Sequence, residues 1–273
     1  MNHGIYDIPF ADYLNDPAFG SSDLRAFRIG PPAMVQWKRQ HRHDDTGATV
    51  LGRAAHCAVL TPNLFAREFV YRPTDERGDF RTKAGKAWRD EQTATILTEE
   101  DRQTIAGVLQ TIRAKRIEVI RSEQSIFWTC SESKLACKSR PDWFDLDATY
   151  DLKVSIAADK PYRSLMFHCY NAGWLHQAAN ARAGLAANGI NVKLGRLVVV
   201  SPNAPHFAHL LEVSENDMDF LELDNQNTRK GMAACVSANH WPGTPDKWQQ
   251  LELPASAAFT ENDLEGAEEA LPL

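Results

Sequence analysis

A series of apolar segments in the second half of the chain restricts the fold more than any other feature. Three consecutive segments between residues 125 and 154 have the composition of strands and are separated by polar turns. Two segments with helical periodicity follow, at 162–170 and 173–187, and then the Val-rich run 194–201, which is typical of a buried strand. Strands and helices in this order predict an α/β domain.

The first half of the chain is predicted to be mainly helical. Residues 50–60 and 98–119 have the spacing of apolar side chains found in helices, and 98–119 begins with a typical capping sequence. There is no internal repeat and no internal linker, so residues 1–253 are predicted to form one domain. Residues 254–273 contain five acidic residues, no basic residue and one aromatic residue, and we expect them to form a flexible acidic tail.

The cysteine content and the hydropathy exclude several classes of protein. The five cysteines are an odd number and no pair has the Cys-x-x-Cys spacing, which argues against a disulfide scaffold, a zinc ribbon or an iron–sulfur cluster. No apolar run approaches the ~20 residues of a membrane span. The first residues do not resemble a signal peptide. We therefore expect a cytoplasmic protein with no membrane partner.

The net charge of −6 argues at first against a nucleic-acid partner. The five acidic residues of 254–273 account for most of it, however, and without them the net charge is −1. Basic residues cluster within 25–53 and again within 77–89. Such clusters can hold a phosphate backbone, although the same pattern also describes a solvated helix face.

Two acidic residues and a lysine are expected to share one site. Asp142 lies on one predicted strand, and Asp151 and Lys153 lie on the next. Because side chains alternate along a strand, Asp151 and Lys153 point to the same face and Leu152 points into the core. A hairpin between the two strands can bring Asp142 opposite Asp151.

This set of residues suits the hydrolysis of a phosphodiester. Clustered carboxylates bind hard divalent cations such as Mg²⁺, which neutralise phosphate charge and activate water. Lys153 would orient the attacking water or help to deprotonate it, and the carbonyl oxygen of Leu152 could serve as a further ligand. An exposed ion pair between Asp151 and Lys153 is the simpler alternative, but the aromatic neighbours Tyr150 and Trp143 favour a buried site.

Two further polar residues lie on predicted helices. His56 follows small residues one turn earlier, which permit close approach of another element, although a lone helical histidine is often a packed core residue. Cys57 does not form a nucleophile pair with it, because adjacent helix residues diverge by ~100°. Gln177 can bridge a phosphate or a metal-bound water, but it could equally occupy an ordinary polar helix position.

Together these motifs resemble the exonuclease VIII (RecE) nuclease domain and, more widely, the lambda-exonuclease and RecB-type members of the PD-(D/E)XK nuclease superfamily. The resemblance extends from about residue 4 to residue 248. It is carried by the helix 51–60 with His56, by Arg140-Pro141-Asp142, by Asp151-Leu152-Lys153 and by Gln177, and it includes residues 81–86 and Trp241-Pro242.

The resemblance implies an α/β fold with a restriction-endonuclease-like core, in which helices flank a mixed central sheet. It implies a magnesium-dependent exonuclease, with Mn²⁺ expected to substitute, that hydrolyses linear double-stranded DNA from the 5′ end in phage-type recombination. The implied partners are double-stranded DNA ends, a single-strand annealing protein and further copies of the chain in a ring.

The resemblance also implies roles for individual residues. The metal ligands would be His56, Asp142, Asp151 and the carbonyl of Leu152, and the catalytic group would be Asp142, Asp151, Lys153 and Gln177. The candidate DNA-binding residues are Arg53, Arg81, Lys83, Lys86, Arg140 and Arg182. The chain has Ala181 where related nucleases have a tyrosine four residues after the glutamine. This departure concerns the handling of the DNA strand, for which Arg182 is the candidate substitute.

Three alternatives remain open at this point. An endonuclease would use the same site residues and a chain of the same length. A DNA-binding or structural protein without catalysis is the alternative from another class, and the complete His/Asp/Asp/Lys set argues against it. A cysteine hydrolase lacks a suitable dyad.

Overall fold

Strands occupy the middle of the chain and helices precede and follow them in the computed structural model, which describes residues 1–41 and 47–247. The strands are β1 Gly4–Tyr6, β2 Phe69–Tyr71, β3 Thr95–Leu97, β4 Ser125–Thr129, β5 Ala136–Ser139, β6 Trp143–Phe144, β7 Ala148–Val154, β8 Leu194–Val200 and β9 Ala208–Val213. The helices are α1 Phe10–Asn15, α2 Ser21–Ile29, α3 Ala33–Gln40, α4 Gly47–Leu60, α5 Pro62–Glu68, α6 Lys83–Glu91, α7 Glu99–Ala114, α8 Tyr162–Asn171, α9 Trp174–Ala187 and α10 Glu215–Ser237.

Helix α7 begins where the sequence predicted and ends earlier. The side chain of Thr98 accepts a hydrogen bond from the amide of Asp101, and the Asp101 carboxylate accepts one from the amide of Thr98. This reciprocal cap satisfies amides that a helix start leaves without partners. The prediction to residue 119 was too long, because the helix ends at Ala114 and Arg116 follows it with a left-handed backbone (φ 53°).

The second of the three strand segments that the sequence predicts between residues 125 and 154 covers 135–144, and in the structure it is divided into β5 and β6. Strand β5 pairs with β4 in the three-stranded sheet β1–β4–β5, whereas β6 pairs with β7 in a different sheet. Pro141 lies in the break, and a proline cannot donate to a strand ladder because it has no amide hydrogen. Asp142 therefore lies at the junction between two sheets and not within a strand.

The second sheet is mixed, with the order β6–β7–β8–β9. Strand β7 runs parallel to β8 and antiparallel to β6, and β9 is antiparallel to β8. Leu152 of β7 and Val198 of β8 face one side and pack against α4 and α7, whereas Leu197 and Val199 face the other side and pack against α8. The observed fold is therefore a mixed α/β arrangement with helices on both faces of this sheet.

Residues Met1–Pro242 form one compact unit. The sequence predicts a polar loop from residue 41 to residue 47, and residues 42–46 of it fall outside the described residues. The predicted acidic tail at 254–273 also falls outside them, so the boundary at 253 stays a prediction. Within the described chain, no helix combines the length and the apolar character that crossing a membrane requires.

Candidate metal centre

Strand β7 places Asp151 and Lys153 on the same face, as its alternation predicted. The Lys153 ammonium nitrogen lies 2.5 Å from Oδ2 of Asp151. Leu152 points the opposite way and is fully buried in the core beside α4. The pair is largely shielded from solvent, since the exposed fraction is 5% for the Asp151 side chain and 19% for that of Lys153. The alternative of an exposed surface ion pair is therefore wrong.

Asp142 reaches the same region from the junction before β6. Trp143 pairs with Tyr150 in the antiparallel ladder of β6 and β7. Asp142, one residue before Trp143, therefore lies beside Asp151, one residue after Tyr150. Oδ2 of Asp142 accepts a hydrogen bond of 2.5 Å from the backbone amide of Leu152. This bond to the middle residue of Asp151-Leu152-Lys153 fixes the Asp142 carboxylate beside the strand that carries the other two residues.

Gln177 connects helix α9 to the pair on β7. Its amide nitrogen donates to Oδ1 of Asp151 at 3.2 Å, and its amide oxygen accepts from the Lys153 ammonium at 3.3 Å. The ring centroid of Trp174, at the start of the same helix, lies 5.8 Å from the Lys153 ammonium nitrogen. Gln177 is thus part of the cluster and is not an ordinary surface position on the helix.

Helix α4 brings His56 to the other side of Asp142. Nδ1 of His56 lies 3.5 Å from Oδ2 of Asp142. Close packing of the helix is provided by Ala54 and Ala55, which are fully buried. Gly52, by contrast, has open space where a Cβ would lie, so the small residue one turn before the histidine is not needed for close approach.

Burial and mutual charge shift the pKa values of these groups. Burial raises the pKa of Asp151 to about 6, and the charge of Asp142 adds to this effect while Lys153 opposes it. Burial alone would lower the pKa of Lys153, but Asp151 and Asp142 outweigh it and hold the pKa above its ordinary value. Burial would likewise lower the pKa of His56, and Asp142 raises it above the ordinary value. His56 and Lys153 in turn hold the pKa of Asp142 low against the opposite effect of burial.

Glu123 is a member of the site that the sequence did not indicate. Among the described residues, potential ligand atoms of His56, Glu123 and Asp142 all lie within 4.8 Å of one another. Asp151 is not in this group, and its carboxylate is held by Lys153 and Gln177 instead. A carboxylate before a strand is common in sequences, so its position in the chain carried no signal of this role.

An imidazole nitrogen with carboxylate oxygens is a donor set that suits a divalent cation. Carboxylate oxygens suit Mg²⁺ and Mn²⁺, and imidazole suits the transition metals. His56 and the two carboxylates come from three separate parts of the chain, which a metal commonly joins. The arrangement is therefore consistent with a divalent metal and leaves its identity open.

Two of the predicted DNA-binding arginines use their donors within the protein. Arg140 donates to Oε2 of Glu123 at 2.7 Å, to the carbonyl of Ile8 and to the hydroxyl of Ser125. Arg182 pairs with Asp219 at 2.6 Å. Both side chains are only about a tenth exposed, at 11% and 12%. Their hydrogen bonds and burial favour roles within the protein over contact with a phosphate, and their contact with DNA stays an untested prediction.

The other predicted DNA-binding residues lie on the surface. Arg53 is on α4, three residues before His56, and donates to the hydroxyl of Thr95 at 3.5 Å. The other three residues are also exposed and lie at the start of α6 or just before it: Arg81, Lys83 and Lys86. Arg81 also pairs with Asp79, and its side chain is 92% exposed.

The packing around Ala181 accounts for the absence of a tyrosine at this position. The residue is buried and lines a cavity of about 10 Å³ together with Pro141, Asp151 and Gln177. A cavity of that size holds at most about one water molecule, so the phenol ring of a tyrosine does not fit. The small residue at 181 therefore suits the close packing of α9 against β7.

Cys57 takes no part in the cluster. Its thiol donates to the carbonyl of Thr61, just after the end of α4, and accepts from the Thr61 hydroxyl, and burial raises the pKa of the thiol. A raised pKa keeps the sulfur protonated and unreactive at neutral pH. The cysteine-hydrolase alternative therefore gains no support.

Comparison with known proteins is informative for the fold alone. No family model matches the chain, and no curated protein matches its sequence. Among solved structures, it is similar to the crystal structure of a "putative exonuclease" from Eubacterium rectale, with a TM-score of 0.52 and 13% sequence identity. The alignment covers 89% of this chain and 97% of that chain. At this identity, the similarity establishes a common fold.

Proposed function

We propose that the protein is a metal-dependent DNA exonuclease with a PD-(D/E)XK core of the RecE-like type. The observation that carries the proposal is the contact between Asp142 and the Leu152 amide, which places Asp142 beside the Asp151–Lys153 pair and Gln177. Fold similarity to a protein described as a "putative exonuclease" adds support. Mg²⁺ is the proposed metal, with Mn²⁺ as a substitute.

The residues suggest how hydrolysis is divided among them. A bound divalent cation would neutralise phosphate charge and lower the pKa of a water molecule. His56, Asp142, Asp151 and the Leu152 carbonyl are the proposed ligands. Lys153, whose raised pKa keeps it protonated, would stabilise the negative charge that develops on the phosphate and would not act as a base.

Gln177 would keep Asp151 and Lys153 at a fixed separation. Its amide bridges both groups, and the closeness of the Trp174 ring restricts the ammonium on another side. Preorganised groups of this kind contribute to catalysis because they do not reorient during the reaction. The proposed DNA-contacting surface is formed by Arg53, Arg81, Lys83 and Lys86.

The test is incubation with linear and circular duplex DNA, each with Mg²⁺ and with EDTA. An exonuclease degrades linear DNA alone, and end-labelled substrates then give the polarity, which we propose is 5′ to 3′. Cleavage of circular DNA would identify the endonuclease alternative. No cleavage by the wild type, with DNA binding retained, would identify the catalytically silent alternative. Asp142→Asn is the inactive control.

The proposal extends to the assembly and the pathway. Resemblance to recombination exonucleases suggests a homo-oligomeric ring that acts at double-stranded DNA ends beside a single-strand annealing protein. Light scattering coupled to size-exclusion chromatography measures the mass of the assembly. A monomer at all concentrations would remove the ring from the proposal and leave the nuclease itself untouched.

A further inference from the structure

We infer that Glu123 is a metal ligand and that Arg140 is the residue that positions it. The inference rests on the proposed function, because it assumes that a divalent cation binds beside Asp142. It adds a residue to the site, and it assigns Arg140 a role other than contact with DNA.

The position of Glu123 is held by its backbone. Its amide donates to the carbonyl of Asp142 at 2.9 Å, so the two acidic residues are joined through the main chain. The residue has a left-handed backbone conformation, with φ of 57°, immediately before β4. Residues other than glycine rarely adopt this conformation, and those that do persist where the surrounding structure holds them.

The position of the Glu123 carboxylate is held by Arg140. Nε of the guanidinium pairs with Oε2 at 2.7 Å, and the rest of that group is fixed by the Ile8 carbonyl and the Ser125 hydroxyl. The other carboxylate oxygen, Oε1, accepts no hydrogen bond from the described residues. One oxygen is thus fixed by an arginine while the second remains available for a cation.

The charges around Asp142 favour a third ligand on this side. Asp151 has a lysine and an amide on its two oxygens, and it lies outside the compact ligand group. His56 and Glu123 approach Asp142 closely enough for one ion to contact all three. Within the group of His56, Glu123 and Asp142, the two carboxylates offer two negative charges to a divalent cation, in addition to the charge of the nearby Asp151. Arg140 limits the repulsion between Glu123 and Asp142 before the cation binds.

The test is titration of the metal-free full chain with Mn²⁺ by isothermal calorimetry, with Glu123→Gln as the variant. We expect the affinity for Mn²⁺ to fall by at least about tenfold, since even replacing a residue that only hydrogen-bonds to a metal ligand costs about 10- to 100-fold in affinity. Glu212→Gln is the matched control, because Glu212 also pairs with an arginine, Arg196, at 2.8 Å on the surface. Its affinity for Mn²⁺ should equal that of the wild type.

A second variant and a second measurement distinguish weaker metal binding from loss of folding. Glu123→Asp keeps the charge and shortens the side chain by one methylene, so it should fold and bind Mn²⁺ more weakly than the wild type. Thermal unfolding with and without Mn²⁺ should show a smaller metal-induced rise in Tm for both variants at position 123.

The outcomes separate this inference from the proposed function. If the wild type binds Mn²⁺ and cleaves DNA but both position-123 variants bind Mn²⁺ with wild-type affinity, the role of Glu123 is overturned and the nuclease stands. If the wild type neither binds Mn²⁺ nor cleaves DNA, the proposed function fails and this inference fails with it.

Discussion

The ammonium of Lys153 lies 2.5 Å from the carboxylate of Asp151, two residues earlier on β7, and both groups are bridged by the Gln177 amide from α9. The three side chains thus form a closed set of contacts between a strand and a helix. Because Asp151 and Asp142 raise the pKa of Lys153, the ammonium is the form expected throughout the neutral range.

Lys153→Ala should lower the cleavage rate by about 10²-fold or more, the scale for removal of an electrostatic or acid–base group. Binding of Mn²⁺ should be retained, because no proposed ligand atom is removed. Single-turnover cleavage and calorimetry measure the two effects separately. Lys193→Ala, which removes an exposed lysine paired with Glu215, is the control and should cleave at the wild-type rate. Loss of both metal and DNA binding in Lys153→Ala would show a structural role instead.

Asp142→Asn and Asp151→Asn should each abolish cleavage while the chain still folds. An asparagine at 142 retains an oxygen that can accept the Leu152 amide, and one at 151 retains an oxygen for the Gln177 amide. Asp142→Asn also loses the charge that pairs with His56, and Asp151→Asn loses the charge that pairs with Lys153. The free energy of unfolding without metal should therefore fall by roughly 1–3 kcal/mol, the scale for a buried group that loses its partner. Urea unfolding in EDTA measures stability. Full activity in either variant would remove that residue from the proposed centre.

The ion pair between His56 and Asp142 should make stability depend on pH. The folded state raises the pKa of His56, so the stabilisation is fully present below the unfolded value of about 6.5 and is lost as pH rises through the folded pKa. In EDTA, the difference in unfolding free energy between the wild type and His56→Gln should be larger at pH 5.5 than at pH 9. A difference that is equal at both pH values contradicts the pairing.

Metal affinity should rise with pH over the acidic range. Protons on His56, Asp151 and Glu123 compete with a cation, and the pKa of each is raised, that of Asp151 to about 6. Titration with Mn²⁺ should therefore show tighter binding at pH 8 than at pH 5.5. Calorimetry at pH 6 in two buffers with different ionisation enthalpies should show net proton release. Absence of proton release would exclude these groups as ligands.

The basic residues near the start of α6 should contribute to DNA affinity in a manner that depends on salt. Replacing Arg81, Lys83 and Lys86 with alanine should weaken binding and reduce the slope of log affinity against log salt, by up to about 0.9 for each phosphate that the variant no longer neutralises. Fluorescence anisotropy in Ca²⁺ or EDTA, at several salt concentrations, measures this slope. The control is alanine at three exposed lysines elsewhere, Lys115, Lys193 and Lys230. Equal slopes for the two triple variants would show that α6 does not bind DNA.

Strand periodicity made much of the site accessible from sequence. Alternation along 149–154 was sufficient to place Asp151 and Lys153 together and Leu152 in the core, and the hairpin placed Asp142 nearby. The divided strand at Pro141 and the early end of α7 were missed, because both depend on local backbone geometry. The pattern of apolar residues along 135–144 does not reveal where pairing with β4 ends and pairing with β7 begins.

The sequence by itself determined the order of the elements from β7 to β8 and the face on which β7 presents Asp151 and Lys153, because these follow from local periodicity. Only the tertiary structure decided which side chains from distant segments meet. It brought Glu123 to His56 and Asp142, turned Arg140 inward, and placed Ala181 where a tyrosine does not fit. Such contacts depend on how helices pack on a sheet and on which donors a buried acceptor requires, and neither is encoded in a window of neighbouring residues.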